Sequence, residues 1–199
     1  MPRMPRICED GAWYHVTWRG DNREPIFFDG QDYQQYLRYL HRYKTPFKFL
    51  LPSYCLMPNH VHLVIQPSLT ASLSKIMLCV GTRYTQYFNK KYGRVGHVFQ
   101  ERFYSRLIRD EIDLLVVSRY VHLNPVAACL CQRSADHPWS SIRAYDEPPV
   151  NPLGLVDREP ILQLITAPDD QERTARYRGF VELPLALPDP SFPQGSDCH

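Results

Sequence analysis

Two periods of apolar residues run along this chain, and together they lay out its elements. Residues 13–19, WYHVTWR, are aromatic, β-prone and alternating, and predict a strand. Asp29 then precedes Tyr33, Tyr36, Leu37, Leu40 and Tyr43, spaced as one helical face, with Pro46 closing the run. Phe47–Leu56 reads as a second strand, Met57-Pro58-Asn59 as a turn, and His60–Gln66 as a third strand, so the two strands form a hairpin. Pro67 and Ser68 open a second helix whose stripe comprises Leu69, Leu73, Ile76, Met77, Val80, Tyr84, Tyr87 and Phe88, ending near Lys91–Gly93. Residues 98–108 predict a fourth strand. Asp110, with Asp113 three residues on, caps a last helix that stops at Asn124-Pro125. Strand–helix–strand–strand–helix–strand is the split βαβ order. It predicts an α+β fold, a ferredoxin-like antiparallel sheet with helices on one face and an extra C-terminal helix.

Composition changes the picture after Tyr145. Nine of the 18 prolines fall in residues 146–199, with short helices expected only around 159–166 and 171–180 and an extended or disordered tail from Leu183. Residues 1–145 hold 19 Lys and Arg against 11 Asp and Glu, a net +8, whereas 146–199 hold 4 against 10, a net −6. The reading is therefore a body, 1–145, with an acidic, proline-rich, partly disordered extension, 146–199. A basic body suits a polyanionic partner. The extension either packs as structure or folds back to compete for the basic surface. No apolar run is long enough to span a membrane and the N-terminus lacks a signal-peptide core, which implies a cytoplasmic protein. Six cysteines without a C-x-x-C pair imply reduced thiols.

His60-Val61-His62 is the sharpest local feature. On a strand, i and i+2 share a face, so two imidazoles can converge on one cation while Val61, Leu63 and Ile65 pack on the core side. Two partly exposed histidines would look the same. A histidine-triad nucleotide hydrolase needs a further His where Val64 stands, and a metallo-β-lactamase-like site needs Asp-His where Val64-Ile65 stand. Tyr120 and Asn124 share a helical face four residues apart, so a phenol and a carboxamide can address one centre, or simply pack. Residues 83–109 carry Arg83, Lys90, Lys91, Arg94, Arg102, Arg106 and Arg109 with Glu101 as the sole acid, interleaved with aromatics. Cations of that kind contact phosphates and aromatic faces stack on unpaired bases. Tyr84, Tyr87 and Phe88 belong mainly to the core.

The motifs MPNHVHLVIQP, SLSKIM, TRYTQYFNKKYGRVGHVFQERFYSRLI, SRYVHLNPVAA and PWSS, with YHVTWRGDNREPIF ahead of them, follow one another across residues 10–145. In kind and order they resemble the REP-associated tyrosine transposases, within the single-tyrosine HUH, IS200-like superfamily. The resemblance implies that His60 and His62 bind a divalent cation, Mg²⁺ or Mn²⁺, that Asn124 is the third ligand where relatives in compact insertion sequences carry Gln, and that Tyr120 is the nucleophile. Phe99 stands where many relatives have Trp. The extension after about residue 146 lies outside the common pattern.

The activity so implied is transposition by cleaving and rejoining single-stranded, hairpin-containing DNA, such as REP palindromes. The cation polarises the scissile phosphodiester, and the Tyr120 oxygen attacks phosphorus to give a 5′-phosphotyrosine and a free 3′-OH. Neutral ligands suit Mn²⁺ better than Mg²⁺. Arg19, Arg23, Arg83, Lys90, Lys91, Arg94, Arg102 and Arg106 are the candidate DNA contacts, and the protein acts as a monomer or homodimer away from membranes. The alternative is a non-catalytic nucleic-acid-binding protein on the same fold. A metal-dependent nucleotide hydrolase would need an acidic ligand or base near the histidine strand, and none is there.

Overall fold

The computed structural model describes residues 11–183. Four strands, β1 (Tyr14–Arg19), β2 (Leu50–Met57), β3 (His60–Gln66) and β4 (Tyr104–Leu107), form one antiparallel sheet in the order β2-β3-β1-β4. This is the expected ferredoxin-like arrangement. The segments 1–10 and 184–199, the latter read as an extended tail, lie outside the described residues.

Helices α1 (Gly30–Phe47) and α2 (Leu73–Tyr92) cover one face. Asp29 caps α1 through the backbone N–H groups of Gln31 and Asp32, and Asp32 closes the capping box. Tyr36, Leu40, Ile76, Met77, Val80, Tyr84 and Phe88 are buried in the core with Val16, Val61 and Leu63. Gly81 lets α2 approach the sheet: a Cβ there would collide with the Trp18 ring. That ring is fixed, stacked on Phe99 at 4.0 Å and donating from Nε1 to the Glu101 carbonyl at 2.7 Å.

The element bounds differ from the sequence reading at four places. β4 is confined to Tyr104–Leu107 because residues 98–103 turn inward, burying Val98 and packing Phe99 and Phe103 on Trp18. α2 starts at Leu73, not near Pro67: Ser68 is held to the Phe47 carbonyl at 2.7 Å, Ser72 makes the cap, and Leu69, assigned to the buried stripe, is 85% exposed. β2 begins at Leu50 because α1 continues through Pro46 to Phe47 and ends on left-handed Lys48, φ 50°. The helix expected to stop at Asn124-Pro125, α3 (Glu111–Ala127), runs past Pro125. A proline there forfeits one hydrogen bond, and only two more helical residues follow it.

α3 lies on the other face of the sheet, since its Ser118 and Tyr120 meet Ser53, His15 and His62. Beyond it, Leu56 N donates to the Trp139 carbonyl at 3.0 Å and Ser141 to the Tyr54 carbonyl at 3.1 Å, covering β2. Two further helices, α4 (Glu159–Leu162) and α5 (Asp170–Glu182), fall where short helices were expected, and α5 packs on α3. Among the described residues no helix is long and apolar enough to cross a membrane. Cys55, Cys79, Cys129 and Cys131 are free thiols. Cys8 and Cys198 lie outside the described residues.

Candidate active site

β3 is buried on both faces, and its two sides have different chemistry. Val61, Leu63 and Ile65 face the core under α1 and α2. His60 and His62 face α3, each less than 10% exposed. Strand register sets their neighbours: Arg19 opposes His60 and Thr17 opposes His62 on β1, while Met57 and Cys55 oppose them on β2. The parity that puts Thr17 and Arg19 on this face adds His15 to it.

His15 is the residue that motif reading missed. Its Nε2 lies 3.0 Å from His62 Nδ1, the rings stack with centroids 5.2 Å apart, and Thr17 Oγ1 lies 3.3 Å from the same nitrogen. On the other imidazole, His60 Nδ1 is 2.6 Å from Asn59 Oδ1. An amide oxygen only accepts, so His60 Nδ1 carries the proton and Nε2 keeps its lone pair. The His60 and His62 ring centroids are 4.8 Å apart.

Tyr120 reaches the same place from α3. Its ring stands edge-on to both His15 and His62, with centroid distances of 5.7 Å. Asn124, one turn later, donates from Nδ2 to the Tyr120 carbonyl at 2.8 Å, which leaves Oδ1 as the amide's accepting atom. Among the described residues no group of three or more His, Cys, Asp or Glu is arranged to hold a metal ion.

Burial governs the protonation states. It pushes His62 well below the ordinary histidine range, with His60, His15 and Arg19 adding to the shift, and takes His15 down to about 4 with help from Arg106. Both imidazoles are therefore neutral at pH 7, the form that has a lone pair to offer. Burial also raises the Tyr120 phenol, while the Asn124 side chain and the Arg19 charge oppose that rise.

The eight proposed DNA-contacting cations do not form one patch. Arg19 and Arg102 line a cavity of about 260 Å³ beside the site, with Thr17 and the exposed Tyr104. Arg23 is exposed just after β1. Arg83 and Lys90 are exposed on α2, which covers the opposite face, and Arg83 borders a groove with Tyr43. Three others are held in ion pairs. Lys91 bridges Asp29 and Asp32 at 2.8 Å each, Arg94 meets Glu24 at 3.1 Å, and Arg106 grips Asp113 with contacts of 2.8 and 3.1 Å. Arg109, exposed ahead of α3, donates its backbone N–H to Asp113. Phe99 serves the core, stacked against Trp18.

Comparison with known proteins is consistent with this geometry. A Haemophilus influenzae protein assigned as a REP-associated tyrosine transposase is 29% identical over 121 residues, 52% of this chain and 68% of its own length. The solved structure of a REP-associated tyrosine transposase bound to a REP hairpin superposes with a TM-score of 0.62 at 19% identity, covering 77% of this chain and 90% of that one. A transposase structure from Deinococcus radiodurans covers 57% of this chain and 92% of its own, with a TM-score of 0.41 and 12% identity. The family model described as "Transposase IS200 like" matches residues 8–124. A match that begins ahead of β1 and ends on Asn124 takes in every side chain of the site, and the chain belongs to the IS200-like transposases.

Proposed function

We propose that this transposase cleaves and rejoins single-stranded DNA flanked by hairpins, REP-like palindromes among them, with Tyr120 as nucleophile, and that it does so in the cytoplasm. The observation that carries the reading is the edge-on approach of Tyr120 to His62 and His15 from a different element of the fold. The relative bound to a REP hairpin supports the substrate class.

The site's donors fit a divalent cation. Burial keeps His62 neutral, and the Asn59 contact holds the His60 Nδ1 proton, which makes Nε2 the nitrogen suited to a cation. If His62 Nδ1 donates to His15 Nε2, His62 Nε2 likewise keeps a lone pair; the reverse tautomer would leave a proton there. Asn124 contributes Oδ1. Such a cation, Mg²⁺ or Mn²⁺, would supply Lewis-acid polarisation of the scissile phosphodiester.

The chain's own residues perform the remaining work. Burial keeps the Tyr120 phenol protonated in the free protein, while the Asn124 side chain and the Arg19 charge oppose that rise. Attack of the phenol oxygen on phosphorus forms the P–O(Tyr) bond and breaks P–O3′. The proton lost by the phenol equals the one gained by the free 3′-OH, so the step conserves the phosphodiester's energy and reverses readily. Arg19 and Arg102, which line the cavity beside Thr17, and Arg23, exposed just after β1, contact the strand entering the site. Arg83 and Lys90, on the other face, are suited to the more distant hairpin stem.

The test is incubation of the full chain with hairpin-flanked single-stranded DNA and Mn²⁺. The wild type is expected to give a covalent protein–DNA band, and Tyr120→Phe none, with hairpin affinity changed less than about twofold. An adduct in the Phe variant assigns the nucleophile elsewhere. Tight hairpin binding without any wild-type adduct identifies a non-catalytic binding protein instead.

A further inference from the structure

The acidic extension grips the helix that carries Tyr120, and it does so at the neighbouring residues. Tyr177, fully buried on α5, places its hydroxyl 2.6 Å from Ser118 Oγ and 3.1 Å from His122 Nδ1. Ser118 continues the chain to Ser53 on β2. His122 Nε2 lies 2.8 Å from Ser141 Oγ, which in turn bonds both backbone groups of Tyr54. Arg119 Nε donates to the Phe180 carbonyl at 2.9 Å and a terminal nitrogen to the Leu183 carbonyl at 2.6 Å, with the guanidinium over the Phe180 ring. One direction of donation satisfies the buried hydroxyl and imidazole groups: Ser53 to Ser118, to Tyr177, to His122, to Ser141, to the Tyr54 carbonyl.

Helical geometry gives this grip a consequence. Residues 118, 119 and 122 lie on one side of α3, and 120 and 124 on the other. The extension therefore holds α3 along one flank, where Ser118 also meets the sheet, while Tyr120 meets the histidines from the other flank, with Asn124 on the same side of the helix. Rotation of α3 about its axis would carry the phenol sideways, and a misplacement of about 1 Å costs on the order of 100-fold in rate. Four of the extension's ten acids are held in ion pairs. Asp146 pairs with Arg178, Asp157 with Lys44, Asp170 with Arg173 and Glu172 with Arg176. That favours a packed structural part over a tail competing with DNA.

We infer that the C-terminal extension is a positioning device for the nucleophile, in which Tyr177 acts through Ser118 and His122, with Arg119 alongside, to set the rotation of α3 against the sheet. The inference rests on Tyr120 being the nucleophile. Tyr177→Phe removes the hydroxyl and keeps the ring. Tyr145→Phe is the matched control: Tyr145 is equally buried, its ring centroid lies 4.6 Å from that of Tyr177, and its hydroxyl bonds Pro52 rather than α3. Single-turnover adduct formation at saturating hairpin DNA is expected to fall 10- to 100-fold in Tyr177→Phe, with half-saturation within twofold, and to stay within threefold of wild type in Tyr145→Phe. Hydrogen exchange without DNA or metal is expected to quicken across residues 117–124 in Tyr177→Phe alone. The exchange arm reads the grip whether or not the wild type forms an adduct, so loss of the catalytic reading is seen separately. Equal rates and equal exchange in the two variants would overturn the inference.

Discussion

Replacing His15 with alanine tests the least obvious member of the site. His15 is 6% exposed and supplies the closer of the two polar contacts to His62 Nδ1, at 3.0 Å against 3.3 Å for Thr17 Oγ1. Losing a partner of a metal-ligating imidazole typically costs 10- to 100-fold in affinity, about 1.4–2.7 kcal/mol. Thr17 can still accept from Nδ1, which places the expected loss near the lower figure, about 10-fold. Titration calorimetry with Mn²⁺ on the folded protein reads this without DNA. His62→Ala should lose binding, His15→Ala should weaken it about 10-fold, and His15→Gln, whose amide oxygen can accept, should recover most of it. Unchanged affinity in a folded His15→Ala variant would refute the orienting role. A loss as complete as that of His62→Ala would make His15 a ligand rather than the acceptor of the His62 proton.

Lys91 and Arg102 should separate structure from DNA contact: Lys91→Met breaks the pair with fully buried Asp32 and should cost toward the lower end of about 3–5 kcal/mol in urea denaturation, leaving the salt dependence of DNA binding alone. Arg102→Ala should leave stability unchanged and flatten the log–log salt slope by about 0.7, the loss of one single-strand phosphate contact, and a change in Lys91→Met instead would reverse the assignment. Asp32 carries the pH prediction: although burial pushes its carboxyl up, Lys91, the Phe28 N–H and the Tyr92 and Tyr87 hydroxyls hold it below the ordinary 3.8. Its contribution is then complete above pH 3.8 and lost as pH falls through the lower folded value, so the stability gap between wild type and Asp32→Asn should narrow on acidification, and a constant gap from pH 6 to pH 3 would contradict it.

Much of the sheet was legible because alternation and helical spacing are local signals. The order of elements, the Asp29 and Asp110 caps and the two-faced β3 all follow from residues within a few positions of one another. The missed features depend on partners distant in sequence. Nothing near Leu69 says that Ser68 turns back to the Phe47 carbonyl and delays α2, or that Trp18 draws residues 98–103 inward. His15 had a readable trace. In YHVTWR the polar residues 15, 17 and 19 alternate with apolar 14, 16 and 18, the same two-sided pattern as His60-Val61-His62, and antiparallel pairing lays one polar face beside the other. Lys91 shows the opposite failure. Its place in a basic stretch suggested DNA, but Asp29 and Asp32, sixty residues earlier, already hold it.

The division of labour within the chain follows from which layer covers which side of the sheet. α1 and α2 cover the apolar side, to which they contribute the fully buried Tyr36, Leu40, Tyr84 and Phe88. The polar side, where His15, His60 and His62 lie, has α3 as its principal cover. A helix covering polar groups gains less from apolar burial than one lying on a core, so its exact seating must come from directional contacts. Those contacts lead to Ser141, Tyr177 and Phe180, all beyond the family match that ends on Asn124. The segment shared with other IS200-like transposases thus holds every group proposed to react, while Ser141, Tyr177 and Phe180, which grip α3, lie in a part the family model does not cover. On this reasoning, substitutions in the extension tune the rate of a fixed chemistry, and they do so without altering any residue that would touch DNA or metal.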